Sequence, residues 1–293
     1  MLSILIPVYN YDVFALVEIL HKQCSESKII FEIIALDDSS SLFITENQRV
    51  NQFSNTSFIV LKKNIGRSAI RNLLAQKAAF DNLLFLDADT IPIHENFIST
   101  YISKINNKEK IVYGGILYQT EKPSKKQLLR WIYGHKREAL SVKDRNKNPY
   151  LSFLTLNFLI SKSIFSKVIF NENIPNLRHE DTLFSYELMQ QKIKIVHIEN
   201  PVYHLGIENS QTFLKKSEEA VIGLKNLVDS GLISKDYVKL AHYFYVLKKY
   251  YLYSIVILGF KILKPVFLKQ LLGKKPSLFI FDLYRLGIYC QLN

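Results

Sequence analysis

Leu83-Leu84-Phe85-Leu86-Asp87-Ala88-Asp89 is the stretch that decides the fold. Four apolar residues that stop at two carboxylates read as a buried parallel strand whose C-terminal end carries polar groups. The same pattern occurs earlier, where Ile33-Ile34-Ala35-Leu36 runs into Asp37-Asp38-Ser39-Ser40. In open α/β sheets ligands bind at that edge. Carboxylates crowded there repel one another unless a cation or a hydrogen-bonding ligand neutralises them. The two clusters therefore point to a site for a divalent metal and a phosphate-bearing ligand.

Working outward, Leu2 to Val8 reads as a first strand, and Val13 to Gln23 carries Phe14, Val17 and Leu20 at helical spacing. Phe31 to Leu36 is a strand, Leu42 to Phe53 a helix, Phe58 to Leu61 a short strand, and Arg67 to Lys77 a helix opened by Ile65-Gly66. This alternation predicts an α/β fold with a mostly parallel, right-handed doubly wound sheet. Past about residue 100 the rhythm changes. Lys110 to Tyr118 reads as a strand broken by Gly114-Gly115, and Lys122 to Lys147 as a basic helix and loop over the sheet edge. Ser152 to Ser161 and Lys192 to Ile198 read as strands, and Asp181 to Gln190 as a helix. From Phe213 onward helical signals dominate. The apolar run Tyr250 to Phe260 is too short to span a bilayer. Its interleaved lysines suit a helix lying in the membrane interface, and a second greasy stretch covers Leu278 to Leu292. The plainer alternative is a helical subdomain packed on the catalytic core.

The chain has 293 residues, is 48% hydrophobic and carries a formal net charge of +12. A sizeable core is therefore available, and the charge suits a nucleic acid, an anionic membrane or a phosphorylated substrate. Nucleic acid fits poorly, because carboxylates at two strand ends repel phosphates. Two distant cysteines, Cys24 and Cys290, fit a reducing compartment without a structural disulfide. The first residues have no basic leader and only a short apolar run, so the catalytic part is expected on the cytoplasmic side.

Each motif has a plain reading beside the chemical one. Asp87 and Asp89 can share a hard cation whose shell phosphate oxygens complete, or they can form a solvated turn. The pair Asp37-Asp38 can accept from a base or ribose, or shape an Asx turn. Arg67 and Arg71, four apart near a helix start, share a face that could approach the nucleotide base or diphosphate; as ordinary surface arginines they would need no role. Asp181 opens an apolar helical pattern, where it would also serve as an N-cap.

Taken in order, Ile6-Pro7-Val8-Tyr9-Asn10, Asp37-Asp38-Ser39-Ser40, Asn64-Ile65-Gly66-Arg67 with Arg71-Asn72, and Leu86-Asp87-Ala88-Asp89 resemble the family-2 glycosyltransferases. The resemblance covers roughly the first 210 residues. It implies a GT-A catalytic domain over 1–210, with a nucleotide-sugar half over about 1–100 and an acceptor half over about 101–210. Residues 211–293 would form a helical C-terminal region. It also implies transfer, with inversion, from a nucleotide-diphosphate sugar, a UDP-sugar first among candidates, to a glycan or lipid-linked saccharide in bacterial cell-surface polysaccharide assembly. Pro7, Tyr9, Asp37 and Asp38 would border the base and ribose. Asp89 would bind Mn2+ or Mg2+, with Asp87 on ribose or metal, and His204 occupies the place of a further metal ligand. Asp181 would be the catalytic base, with Glu180 as neighbour or substitute, and Gly115 would belong to the small-residue turn beside the sugar. Ser39 departs from the family's usual glycine. Gln127-Leu128-Leu129-Arg130-Trp131 has the lettering of a processive-synthase motif, but it precedes Glu180-Asp181 where that motif follows the base. It reads as coincidence, with Trp131 an acceptor-side aromatic. A sugar-nucleotide pyrophosphorylase would open with a glycine-rich loop, which Tyr9-Asn10-Tyr11-Asp12 is not; an inactive sugar-nucleotide-binding relative would share every motif.

Overall fold

The apolar run Leu2–Val8 (β1) is buried on both faces, as a central strand must be. Its pleat sends Leu2, Ile4, Ile6 and Val8 into a core shared with the helix Phe14–Glu26. Leu5 enters the opposite core, with the helix Arg67–Lys77. This computed structural model describes residues 1–105, 110–174 and 178–292. Strand β1 pairs in parallel with Phe31–Asp37 (β2), which pairs in parallel with Thr56–Val60 (β3). On its other side β1 pairs in parallel with Asn82–Leu86 (β4). The remaining strands are Thr90–Pro92 (β5), Lys110–Tyr113 (β6), Ile116–Leu117 (β7), Asn157–Ser161 (β8), Lys194–His197 (β9) and Val202–His204 (β10). The main sheet has the order β3-β2-β1-β4-β8-β6-β9. The strand order reverses between β1 and β4, so their C-terminal ends flank a topological switch point.

The mixed α/β sheet flanked by helices is the one the sequence rhythm predicts, with one antiparallel member. Strand β8 runs against both β4 and β6, and its first residue, Asn157, lies across from Leu86. The chain thus re-enters the sheet from the edge that carries Asp87. A second sheet, β5-β10-β7, has no clear sequence signal because its strands are two or three residues long. It places His204 opposite Thr90, next to Asp89. The expected helix over Leu42 to Phe53 is a short α-helix, Ile44–Gln48, continued by a 3-10 turn, Arg49–Gln52.

The C-terminal region packs the helices Ser210–Asp229, Lys239–Lys249, Tyr253–Leu271 and Leu278–Gln291 around a third core. Leu129 and Leu183 from the preceding region enter the same core. Gly287 lets two of these helices meet: a Cβ there would stand 2.3 Å from the Phe260 ring. In the greasy stretch from Leu278, Phe281, Tyr284, Ile288 and Tyr289 are buried in the bundle, while Phe279 is exposed. Among the described residues no single helix is long and apolar enough to cross a membrane.

Candidate active site

The sheet edge is shaped first by Asp37 and Asp38. Strand β2 ends where the Asp38 amide donates to the Val8 carbonyl at 2.8 Å. Asp37 is fully buried, and its carboxylate accepts from the Ser40 amide and hydroxyl at 2.8 and 2.6 Å. Ser39 between them holds φ at 62°, the left-handed region a glycine would enter at lower cost. The Asp38 carboxylate accepts from the amides of Ile65 and Gly66 at 2.7 and 3.0 Å, and its carbonyl accepts from the Asn64 side chain. Both acidic residues thus hold backbone. Asp38 fixes the turn that starts the helix Arg67–Lys77 and so sets the origin of the two arginines. Pro7 lies half-buried one residue before the end of β1 at Val8, and Tyr9 stands exposed just beyond that end.

The two arginines of one helix face part ways. Arg71, nearly buried, donates to Asp87 at 2.7 Å. Arg67, more exposed, reaches toward Glu180 at 3.5 Å. Burial pushes the Asp87 carboxyl up; Arg71 opposes that and Asp89 adds to it, leaving it above its ordinary value. Asp87 is thus paired with a guanidinium through one of its two carboxylate oxygens. Asp89 turns instead to His204, with Oδ2 3.2 Å from Nε2. Gly206 leaves room for this carboxylate, because a Cβ there would lie 2.4 Å from Asp89 Oδ2.

The donor set at Asp89 and His204 suits a borderline-hard divalent ion. Their spacing of 3.2 Å is close to that of adjacent donors in a shell with bonds of about 2.1 Å. The buried His204 Nδ1 has no hydrogen-bond partner among the described residues, so Asp89 beside Nε2 is the polar neighbour that addresses the ring. Among the described residues no group of three or more His, Cys, Asp or Glu stands together, so protein atoms would supply only part of a shell.

The helix Glu180–Gln190 carries the second acidic pair into the site. Its N-cap is His179, not Asp181, and both Arg178 and His179 have positive φ, 67° and 76°. Such conformations cost about 1–2 kcal/mol each for residues with a Cβ, which marks this entry as strained. Asp181 sits in the first turn, where Oδ1 accepts from the Thr182 amide at 2.7 Å. Burial and then the Glu180 carboxylate push Asp181 up to about 6; Thr182 and Arg71 hold it back. Burial acts the same way on Glu180, but Arg67 and Arg71 outweigh it, and that carboxyl is lowered. Two adjacent carboxyls are thereby driven apart, one toward a base poised near neutrality and one toward a fixed anion. A small cleft lined by Gly66, Arg67, Glu172, Ile174 and Glu180 opens beside them.

Gly115 takes φ of +102°, and a Cβ would meet the Arg145 guanidinium at 2.9 Å. Its glycine is thus demanded by backbone shape and by a buried arginine. That arginine donates to the carbonyls of Tyr113 and Ile198. Among the neighbours, Tyr11, Tyr118 and Glu138 carried no sequence signal. Tyr11 lies close enough to Asp89 that, after burial, its charge raises the phenol. Tyr118 packs its ring 5.5 Å from that of His204, donates to Glu138, and accepts from Arg130, which also binds Glu138. Trp131 packs its ring, tilted by 60°, 4.4 Å from that of His135 beside this network and donates to the Gln119 carbonyl. A π-helix, Gly134–Glu138, sets the Glu138 position.

The sequence model described as Glycosyl transferase family 2 matches residues 3–169, more than half of the chain. No curated protein matches. Solved structures of similar fold include S. aureus TarS, at 14% identity and TM-score 0.50, covering 75% of this chain and 39% of that one. The 1–349 portion of TarS in complex with UDP-GlcNAc gives 16% identity and TM-score 0.51, covering 77% of this chain and 66% of that one. The mannosyltransferase PcManGT from Pyrobaculum calidifontis, in complex with GDP-Man and Mn2+, gives 10% identity and TM-score 0.54, covering 78% and 64%. At these identities the likeness is one of fold, and this chain spans less than two thirds of each of those chains.

Proposed function

The chain belongs to glycosyl transferase family 2, and from that premise we propose that it moves a sugar, with inversion, from a nucleotide-diphosphate sugar to a hydroxyl of a glycan or lipid-linked saccharide. The observation that carries the reading is the placement of Asp181 in the first turn of the helix Glu180–Gln190, beside Glu180 and the paired guanidiniums Arg67 and Arg71 at the sheet edge, where burial pushes its carboxyl up to about 6. A base with that value is ionised at neutral pH yet still basic enough to take a proton from a hydroxyl in the transition state.

The steps assigned to this chain's residues follow from their contacts. Asp181 takes the acceptor proton as the hydroxyl attacks the anomeric carbon from the face opposite the diphosphate. Glu180 keeps Asp181 basic and, with Asp87, keeps Arg67 and Arg71 oriented. Arg67, the less buried guanidinium, has donors left for a diphosphate oxygen. Pro7 and Tyr9, with the loops that Asp37 and Asp38 hold, border the base and ribose, and the Gly115 turn borders the sugar. Asp89 and His204 would hold Mn2+ or Mg2+, which when bound offsets charge on the departing diphosphate. Trp131 supplies an apolar face on the acceptor side. Fold relatives solved with UDP-GlcNAc and with GDP-Man and Mn2+ support the class of donor. Cell-surface polysaccharide assembly at the cytoplasmic face of a bacterial membrane is the setting this reading implies.

The test is Asp181→Asn, which keeps the shape of the side chain and its acceptor for the Thr182 amide. Incubated with a donor and acceptor that the wild type uses, it is expected to form no glycoside product while unfolding as cooperatively as the wild type. Turnover near the wild-type rate would refute Asp181 as base.

A further inference from the structure

The helix Tyr253–Leu271 is apolar on two sides. One side faces the bundle through Phe260, Ile257, Phe267 and Leu271. The other presents Ile255, Leu258, Ile262 and Val266 at 67%, 64%, 69% and 60% exposure. Their spacing of three, four and four residues aligns them as one stripe along the helix. Water-facing stripes of branched aliphatics of this length are rare on soluble domains and mark an interaction surface.

Charge selects the occupant. Between Asp236 and Asp282 the sequence has eight lysines and not one Asp or Glu. Lys261 and Lys269 on this helix are exposed, as are Lys248, Lys249, Lys274 and Lys275 at its two ends. A second copy of this chain apposed through the same stripe would bring like charges together. An anionic bilayer instead takes the aliphatic side chains below its headgroups and pairs the lysines with them. We propose that the stripe Ile255-Leu258-Ile262-Val266, framed by these lysines, is a docking face for an anionic lipid bilayer, with the helix lying in the membrane plane. Tyr250, Tyr251 and Leu252, exposed at the corner before the helix, suit the headgroup layer. The bundle face of the helix stays on the protein, so the catalytic part remains outside the hydrocarbon.

Flotation of the whole chain tests this without any dependence on activity. Vesicles of phosphatidylcholine alone are compared with vesicles that also contain phosphatidylglycerol. The wild type is expected to float with the anionic vesicles only. Leu258→Ser with Ile262→Ser is expected to weaken partition on the order of a hundredfold, from the apolar area withdrawn. Lys261→Glu with Lys269→Glu is expected to weaken it on the order of tenfold or more. Circular dichroism and the unfolding midpoint, unchanged in both double variants, show that the fold persists. Wild-type protein that stays at the bottom of the gradient overturns the proposal. So does equal flotation on both vesicle types, or a dimer in solution that the Leu258→Ser, Ile262→Ser pair makes monomeric.

Discussion

Replacing Asp181 by Asn should stabilise the fold while removing activity, and the size of the gain can be worked from the site. In the native site the Asp181 carboxyl is pushed up to about 6 from an ordinary 3.8, first by burial and then by Glu180. Between those two values the folded state binds more protons than the unfolded chain, so stability falls as pH rises through that window. Below about pH 3.8 the penalty is absent, and above about 6 it is complete. A rise of roughly two pKa units corresponds to about 3 kcal/mol at most. Coupling to Glu180 and solvent access to the site reduce the net figure to about 1–2 kcal/mol. Asn carries no charge at any pH, so Asp181→Asn should be more stable than wild type by about 1–2 kcal/mol at pH 7.5 and nearly equal to it near pH 4. Urea unfolding followed by circular dichroism at both pH values reads this directly. A stability difference that does not change with pH, or a loss of stability at pH 7.5, would refute the argument that this carboxyl is held out of its ordinary range.

Glu180→Gln removes the neighbouring charge that helps raise Asp181, so the acid limb of the kcat/KM profile should move down by on the order of one pH unit, with a lower plateau because the base is weaker; an unmoved limb contradicts the coupling. Arg71→Ala leaves Asp87 with no guanidinium 2.7 Å away and should cost about 2–4 kcal/mol in urea unfolding, Arg71→Lys distinctly less; a change below about 0.5 kcal/mol would show the pair to be incidental. Gly115→Ala forces a Cβ onto a φ of +102° and against Arg145, and should cost about 2–4 kcal/mol, seen as a lowered Tm. An unchanged Tm there would mean that the turn relaxes freely.

Sequence alone reveals the parts of the fold that rest on unbroken periodic signals. The helix Arg67–Lys77 is legible to the residue, because Asn64-Ile65-Gly66 punctuates it and the apolar spacing resumes at once. Strands β1, β2 and β4 are legible because each is a run of buried aliphatics stopped by a polar end. What the sequence does not carry is pairing at a distance. Nothing local says that Arg71 will take Asp87 and leave Asp89 to His204, since that choice depends on β10 lying beside β5. The acidic pair Asp37-Asp38 shows its charge in the sequence but not its partners, which are backbone amides at residues 40, 65 and 66. The helix at Glu180 begins one residue earlier than its apolar pattern, because two left-handed residues before it start the turn. Two greasy stretches close the sequence, and only the packing of Tyr284 and Tyr289 against Phe260 and Phe244 shows that the second turns most of its apolar side chains inward.

Release of nucleoside diphosphate from a panel of UDP-, GDP- and TDP-sugars, with and without Mn2+ or Mg2+, tests most directly whether the edge built by Arg67, Arg71, Asp87, Asp89 and Asp181 is a transfer site. The wild type should turn over at least one donor class only when the ion is supplied, and Asp89→Ala should turn over none. Silence from the folded wild type with every donor, or equal release by Asp89→Ala, would contradict it.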